Sequence, residues 1–562
     1  MDRLWVTFFE GDGDGANMNA FMVRDTAYDA VIVGGGATGG WAAKLLTEGG
    51  LTVALVEAGI ATKATDVNGI SENRGASFGP PSQTVVSRRP IQSRCYACRE
   101  PYHEWFVDDK DNPYVEVFPF SWIRMRVLGG RLLAWEGQSY RMSDLDFKAY
   151  DHDGVGENWP LSYRDLEMHY DSAEAYLGVS GVDECMAHLP AGLLEQPIGR
   201  NVTCQILKEA LELEFDRVVT PARVASMAGS RRFVKESEPK ASESMDARGL
   251  APGWSAIGDA CATGHLHIFL ETVATRIRTV RGKAVGLSCV RRDSNEMKYI
   301  AARVVILCAS TLESTRLILN SDVCSSSGVL GHYLMDHVFG GGASGTTQVS
   351  WSDFHSPGYQ RHRAYIPRFR NVGDDVQSAY KRGYGIQAKS IALASSGLWA
   401  RLFQRGSGRI SVRTILAAFG ECLARYDNSV QLDREHLDRW GVPTLRIKAQ
   451  WSDNELMLMK DAQEQSILML KSAGVKDITA NNYISTPGLA IHEVGTARMG
   501  TNPKTSVVNR FCQCHDLPNL FVMDGACWVS SGCQNPTLTM LAIAGHSCQY
   551  ILKEFREGLG DS

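Results

Sequence analysis

Tyr28-Asp29-Ala30-Val31-Ile32-Val33-Gly34-Gly35-Gly36-Ala37-Thr38-Gly39-Gly40 is the stretch whose reading decides the fold. An unbroken apolar run that meets a row of glycines describes a buried strand turning sharply. Trp41, Ala42, Leu45 and Leu46 then recur at helical spacing until Gly49-Gly50, and Thr52-Val53-Ala54-Leu55-Val56 makes a second strand ending in the acid Glu57. Gly34, Gly36 and Gly39 allow a tight turn, close approach of a pyrophosphate and close packing of helix on strand, while Glu57 is placed to accept from a ribose hydroxyl. A lone G-x-G-x-x-G is weak evidence. Strand, glycines, helix, strand and terminal acid together predict a dinucleotide-binding unit.

Working outward, the 562 residues suffice for two or three domains around a sizeable core. A formal net charge of -5, with scattered Lys and Arg, gives no footprint for nucleic acid. No apolar run approaches the ~18 to 20 residues of a membrane span. Met1-Asp2-Arg3-Leu4-Trp5 lacks the order of a secretory signal, so cytoplasmic is the default, with export alongside a partner subunit as the alternative. The 14 cysteines do not suggest a disulfide framework. Cys95-Tyr96-Ala97-Cys98 and Cys512-Gln513-Cys514 have no partner pair at ligand spacing and read as plain thiols. His332 and His337, with Asp336 between them, fit no common ligand pattern and read as structural; no metal site is expected.

Further along, Gly129-Gly130 precede the bulky Trp135, a place where exposed backbone can approach a flat ring or a phosphate. Residues 1–27 read as a flexible leader, and the charged, aperiodic run from Ala228 to Ala262 reads as a surface excursion or lid. Alternation from His267 through Ile268-Phe269-Leu270, Val273 to Ile277 and Val285 to Val290 predicts a small antiparallel meander. It leads into the buried strand Arg303 to Ser310, containing Ala309, and a helix from Thr311 to Leu319 stopped by Asn320. Strand-to-helix chemistry thus returns far from the first motif, so the nucleotide domain is discontinuous. Residues 28–180, 265–330 and 488–556 are assigned to it, 181–264 to the excursion, and 331–487, with a helix from Asn454 to Leu470, to a substrate domain. Near the C-terminus, Leu520-Phe521-Val522-Met523 runs into Asp524-Gly525, and Asn535-Pro536-Thr537 opens a helix continuing to about Phe555. The fold class predicted is α/β: a Rossmann-like domain with an α+β substrate domain on an antiparallel sheet.

The unit from Gly34 to Glu57, the Gly129-Gly130 run, Ala309-Ser310-Thr311-Leu312-Glu313-Ser314, His492-Glu493-Val494-Gly495-Thr496-Ala497-Arg498-Met499-Gly500 and Asn535-Pro536-Thr537-Leu538-Thr539 together resemble the glucose–methanol–choline flavoprotein oxidoreductases, most of all their sugar-oxidising branch. The resemblance implies FAD, with an antiparallel sheet laid over the flavin's reactive face. It implies His492 as the base that takes a hydroxyl proton while hydride leaves for flavin N5, and Asn535 as the residue holding the substrate oxygen. Asp524 and Gly525 would meet the ribitol and phosphate, Pro536 and Thr537 the pyrimidine edge, and Val273 would lie near the adenine. Some relatives tether the flavin through a histidine just before the tryptophan. Here Ala134 precedes Trp135, so non-covalent FAD is expected, and Glu136 stands where relatives often have a small residue.

Independent physics supports these roles. Oxidising an alcohol by hydride loss needs a group near neutral pKa within reach of the hydroxyl, which suits histidine. A helix N-terminus aimed at the flavin's N1 and C2 oxygen edge stabilises the charge gained there. The leading expectation is oxidation of a secondary hydroxyl of a sugar or glycoside, C3 of a glucoside first and C2 of a pyranose next. A family member acting on a non-sugar alcohol and a flavin-binding subunit without turnover are the alternatives. A nicotinamide enzyme would need a second glycine motif, and none is present. The electron acceptor (oxygen, a quinone or dye, or a cytochrome) and a small partner subunit are left open.

Overall fold

Ala30 to Val33 are buried on both faces, which is what a continuous apolar run demands of a strand inside a parallel sheet. This strand, β1 (Tyr28–Val33), leads through the glycines into α1 (Ala37–Glu48) and back to β2 (Val53–Val56) in a computed structural model that describes residues 6–10, 17–21, 27–61, 80–100, 102–197, 199–225, 255–355, 362–393 and 408–557. β1 and β2 pair in parallel, Ala30 opposite Val53 through Val33 opposite Val56. Glycine is required at position 39. A Cβ there would stand 1.8 Å from the Gly34 carbonyl oxygen, inside any permissible contact.

On the far side of β2 lies β3 (Leu266–Phe269), parallel to it. The meander consists of β4 (Thr272–Val280), β5 (Lys283–Arg291) and β6 (Met297–Leu307). The sequence placed Ile268-Phe269 in that meander; here they belong to the parallel sheet, because Val53–Val56 offers them a buried edge in register. β6 joins the meander and the parallel strands into one seven-stranded sheet. Met297 to Ala301 run antiparallel to β5, while Ala302 to Leu307 lie parallel to β1 and, from Val305, to the strand Leu520–Val522. The helix α2 (Thr311–Asn320) follows β6. Segments hundreds of positions apart therefore share one apolar core containing Ile32, Leu55, Ile306, Val522 and Leu541.

A second, six-stranded antiparallel sheet is built from β7 (Val338–Ser350), β8 (Arg363–Ile366), β9 (Tyr384–Ala392), β10 (Arg409–Gly420) and β11 (Lys476–Ile484), with Thr220–Pro221 at the edge beside β8. Against it packs α3 (Asp453–Ser472), whose start is fixed by a capping box in which Ser452 and Glu455 satisfy each other's end of the helix. Leu458, Met459, Ala462 and Met469 of α3 meet Val338, Leu416 and Ala418 in a separate core.

Parts of the expected excursion are absorbed by these two bodies. Leu207 and Leu211 of the helix Val202–Phe215 enter the second core, and Ala256, Ile257 and Ala260 of the helix Ser255–Ala262 enter the first. The charged run proper, 226–254, lies outside the described residues. Within the expected leader, Val6–Glu10 pairs antiparallel with Asn17–Phe21. Val115–Glu116, assigned by sequence to the nucleotide domain, pairs with Pro443–Lys448 from the substrate side, so the two parts interlock.

Candidate active site

The parallel strands β1 and β2 end at a cavity of about 380 Å³, lined at one end by Gly34, Gly36, Ala37, Thr38 and Glu57 and at the other by His492, Asn535, Pro536 and Thr537. Crevices beyond the carboxyl ends of parallel strands are where such sheets hold ligands. α1 begins at Gly36 with no side chain capping it, and a Cβ at Gly36 would meet nothing within 4 Å. Its first N–H groups are left for an anion. Glu57 is buried and lines the same end; its two oxygens accept from Gly35 N (2.8 Å) and Gly59 N (2.6 Å). Burial pushes its pKa up, against those two bonds and the nearby Arg126 and Arg292 guanidinium groups.

At the opposite end α4 (Thr537–Arg556) also starts without a side-chain cap, at Pro536. Asn535, just before it, accepts at Oδ1 from Gln387 Nε2 at 2.9 Å. Gln387 in turn accepts from Gln138 Nε2, and Gln138 accepts from the Tyr140 hydroxyl at 2.9 Å. His492 Nδ1 lies 2.9 Å from His337 Nδ1, the two rings standing at 85°. Asp336 grips the backbone that carries His492. Its carboxylate accepts from Gly488 N (2.8 Å), Ala490 N (3.3 Å) and His492 N (3.0 Å). That grip holds Ile491 at φ 62°, a left-handed conformation that a β-branched residue adopts only under constraint. Arg131 ties the Gly129-Gly130 loop to the same segment through Glu493 at 2.6 Å, and donates to Ser310 Oγ at 2.9 Å.

The electrostatics follow from burial. Desolvation holds the His492 pKa well below the usual imidazole value, helped by His337 and Arg131, so the ring is neutral near pH 7. His337 is lowered to about 4 by burial. Asp336 is raised, by burial first and by Glu493 second. Asp524, buried but accepting from Ser314 and Ala526, is raised to about 6.

Gly34, Gly36, Glu57, Gly130, Trp135, Val273, Ala309, His492, Asp524, Gly525, Asn535, Pro536 and Thr537 all line this one cavity. Gly39 and Gly129 shape its wall from behind: Gly39 through the tight packing already described, Gly129 at φ 100° by donating to Gly35 O at 2.9 Å. Glu136 also lines the cavity, paired with Arg363 at 2.8 Å. Sequence reasoning missed Gln138 and Gln387, and set Asp336 and His337 aside as structural. Only an adjacent Asp-His pair signalled the last two. The thiol reading of Cys514 is corrected by a disulfide to Cys324 across 190 positions, which no local spacing reveals. Cys95 and Cys98 are buried free thiols, raised by desolvation to about 11 and about 12.

Two uncapped helix starts facing one cavity, with a buried acid at one end and a neutral histidine at the other, fit a flavin dinucleotide. Gly34, Gly36 and Glu57 would hold its adenosine diphosphate half and Thr537 its ring edge. The GMC oxidoreductase sequence profiles match residues 250–339 and 424–544. The chain is 26% identical over 465 residues to a 2-methyl-1,2-propanediol dehydrogenase of Mycolicibacterium austroafricanum, covering 77% of this chain and 82% of that protein. It is 24% identical over 579 residues to the fructose dehydrogenase large subunit of Gluconobacter japonicus, covering 94% and 98%. Its fold is shared with a solved formate oxidase of Aspergillus oryzae at a TM-score of 0.59 and 15% identity, covering 95% of this chain and 100% of that one. Matched by the N- and C-terminal profiles over those two segments and carrying the cavity just described, this chain is similar to the GMC oxidoreductases, enzymes that oxidise alcohol groups with FAD.

Proposed function

We propose that the protein oxidises a secondary hydroxyl of a sugar or glycoside to a ketone, C3 of a glucoside first and C2 of a free pyranose next. The observation carrying this reading is the lining that His492 shares: the carboxamides Gln138, Gln387 and Asn535 and the aromatic side chains of Trp135 and Phe419, the last with its ring centroid 6.1 Å from that of His492. Planar amides offer paired donors and acceptors to neighbouring hydroxyls, and aromatic rings cover the C–H faces of a pyranose. The charged groups at this end are already matched, Arg131 with Glu493 and Glu136 with Arg363, which favours a neutral polyol over an ionic substrate.

Bound FAD supplies the acceptor for the hydride that leaves the carbinol carbon. His492 takes the hydroxyl proton, and Asn535 holds the oxygen as it becomes a carbonyl. The likeness to a fructose dehydrogenase large subunit supports a sugar, and its name supports a search for a small partner subunit. The likeness to a propanediol dehydrogenase favours a second reading, a small non-sugar alcohol. Anaerobic bleaching of the flavin by a panel of glucosides, free pyranoses and diols, with products assigned by NMR, separates the two. Bleaching by diols alone would exclude the sugar reading.

A further inference from the structure

The His337 ring sits where its surroundings dictate the position of two protons. Its Nε2 lies 2.9 Å from the Gly532 carbonyl oxygen and 3.3 Å from that of Ser531. A carbonyl oxygen only accepts, so Nε2 carries the hydrogen and donates it. The ring is buried and neutral, so its Nδ1 is a bare acceptor. His492 Nδ1, 2.9 Å away, must then be the donor. A neutral imidazole has one ring hydrogen, which leaves His492 Nε2 bare. The other tautomer would set two lone pairs against each other at that distance and offer substrate an N–H where a base is needed.

We propose that His337 is a positioning residue that selects the tautomer of His492 with a bare Nε2, the form able to accept a hydroxyl proton. The inference rests on the reading of His492 as the base. When the substrate O–H bond breaks and the Nε2–H bond forms, the Nδ1 hydrogen stays on the His337 lone pair, and that bond becomes charge-assisted. Asp336 and His337, adjacent in sequence, divide the work. Asp336 fixes the backbone of His492, and His337 fixes its ring.

Two isosteres separate the functions of the ring's nitrogens in the FAD-loaded protein. Asn at 337 places a carboxamide oxygen near the Nδ1 position; Gln keeps only a donor near the Nε2 position. The limiting rate of anaerobic flavin reduction by whichever alcohol bleaches the wild type should fall ~10²- to 10⁴-fold in His337→Gln and His337→Leu, with the flavin spectrum unchanged. His337→Asn should restore it to within about tenfold, a rescue that a purely structural role does not produce. Histidine-selective nitrogen NMR, with His492 assigned by the signal lost in His492→Ala, should show a bare Nε2 in the wild type and in His337→Asn, and a mixture in His337→Leu. A protonated His492 Nε2 in the wild type overturns the proposal, as do equal rates in the Asn and Gln variants. The NMR result needs no substrate. Failure of every sugar to bleach the flavin would therefore end the substrate reading and leave the tautomer result standing.

Discussion

At the scale of single residues, the proposed chemistry hangs on a histidine whose charge state is set by its surroundings. His492→Ala should keep bound flavin, seen in its absorption bands, yet lose ~10²- to 10⁴-fold in the rate at which substrate reduces it. Because burial lowers the His492 pKa, protonation switches the proposed base off only in acid: the limb of the limiting reduction rate that reports this ring should lie below pH 6.5. An acidic limb centred at 6.5 or above would contradict this. That His492 and Asn535 would line one cavity was legible in the sequence through the motifs that carry them. Their supports were not, since His337 and Gln387 reach them from 155 and 148 positions away through a sheet register that no local pattern encodes.

Among elements, the strand, glycine turn and helix of β1, α1 and β2 were legible because the turn, where Gly39 packs on Gly34, and the pairing of β1 with β2 are both local in sequence. The Gly34 to Gly39 approach makes a sharp prediction. Gly39→Ala forces the turn apart by inserting a Cβ 1.8 Å from the Gly34 oxygen, and the chain should purify with little flavin and lose about 1–3 kcal/mol of stability. Thermal unfolding of the apo-protein and the flavin-to-protein absorbance ratio would show it; full flavin content would mean the turn relaxes freely. β3 was harder to read. Its alternation matches that of the meander beside it, and only the free edge of β2 decides which sheet it joins. The antiparallel strands from β7 to β11 posed the same difficulty at larger size, since alternation identifies a strand without naming its neighbour.

For the whole molecule, the joining of distant strands in one sheet was inferable because β6 and α2 repeat the strand-to-helix chemistry of the beginning, but the covalent tie between Cys324 and Cys514 was not. That bond closes a loop of 190 positions spanning the second sheet. Opening such a loop typically costs ~2–5 kcal/mol, so Cys324→Ser and reduction of the wild type should lower the midpoint of thermal unfolding by similar amounts. Equal midpoints with and without reductant would show that the bond contributes nothing. Disulfides persist mainly in oxidising compartments, which sets this bond against the cytoplasmic default taken from the first residues.

The hydrogen bond from Gln387 to Asn535 makes substrate range and turnover a shared inheritance. Gln387 belongs to the wall that an engineer would carve to admit a bulkier alcohol, yet its amide also steadies Asn535, the side chain proposed to hold the reacting oxygen. Directed evolution for new substrates at that position should therefore yield broad but sluggish catalysts, until a compensating change elsewhere in the wall takes over the steadying role.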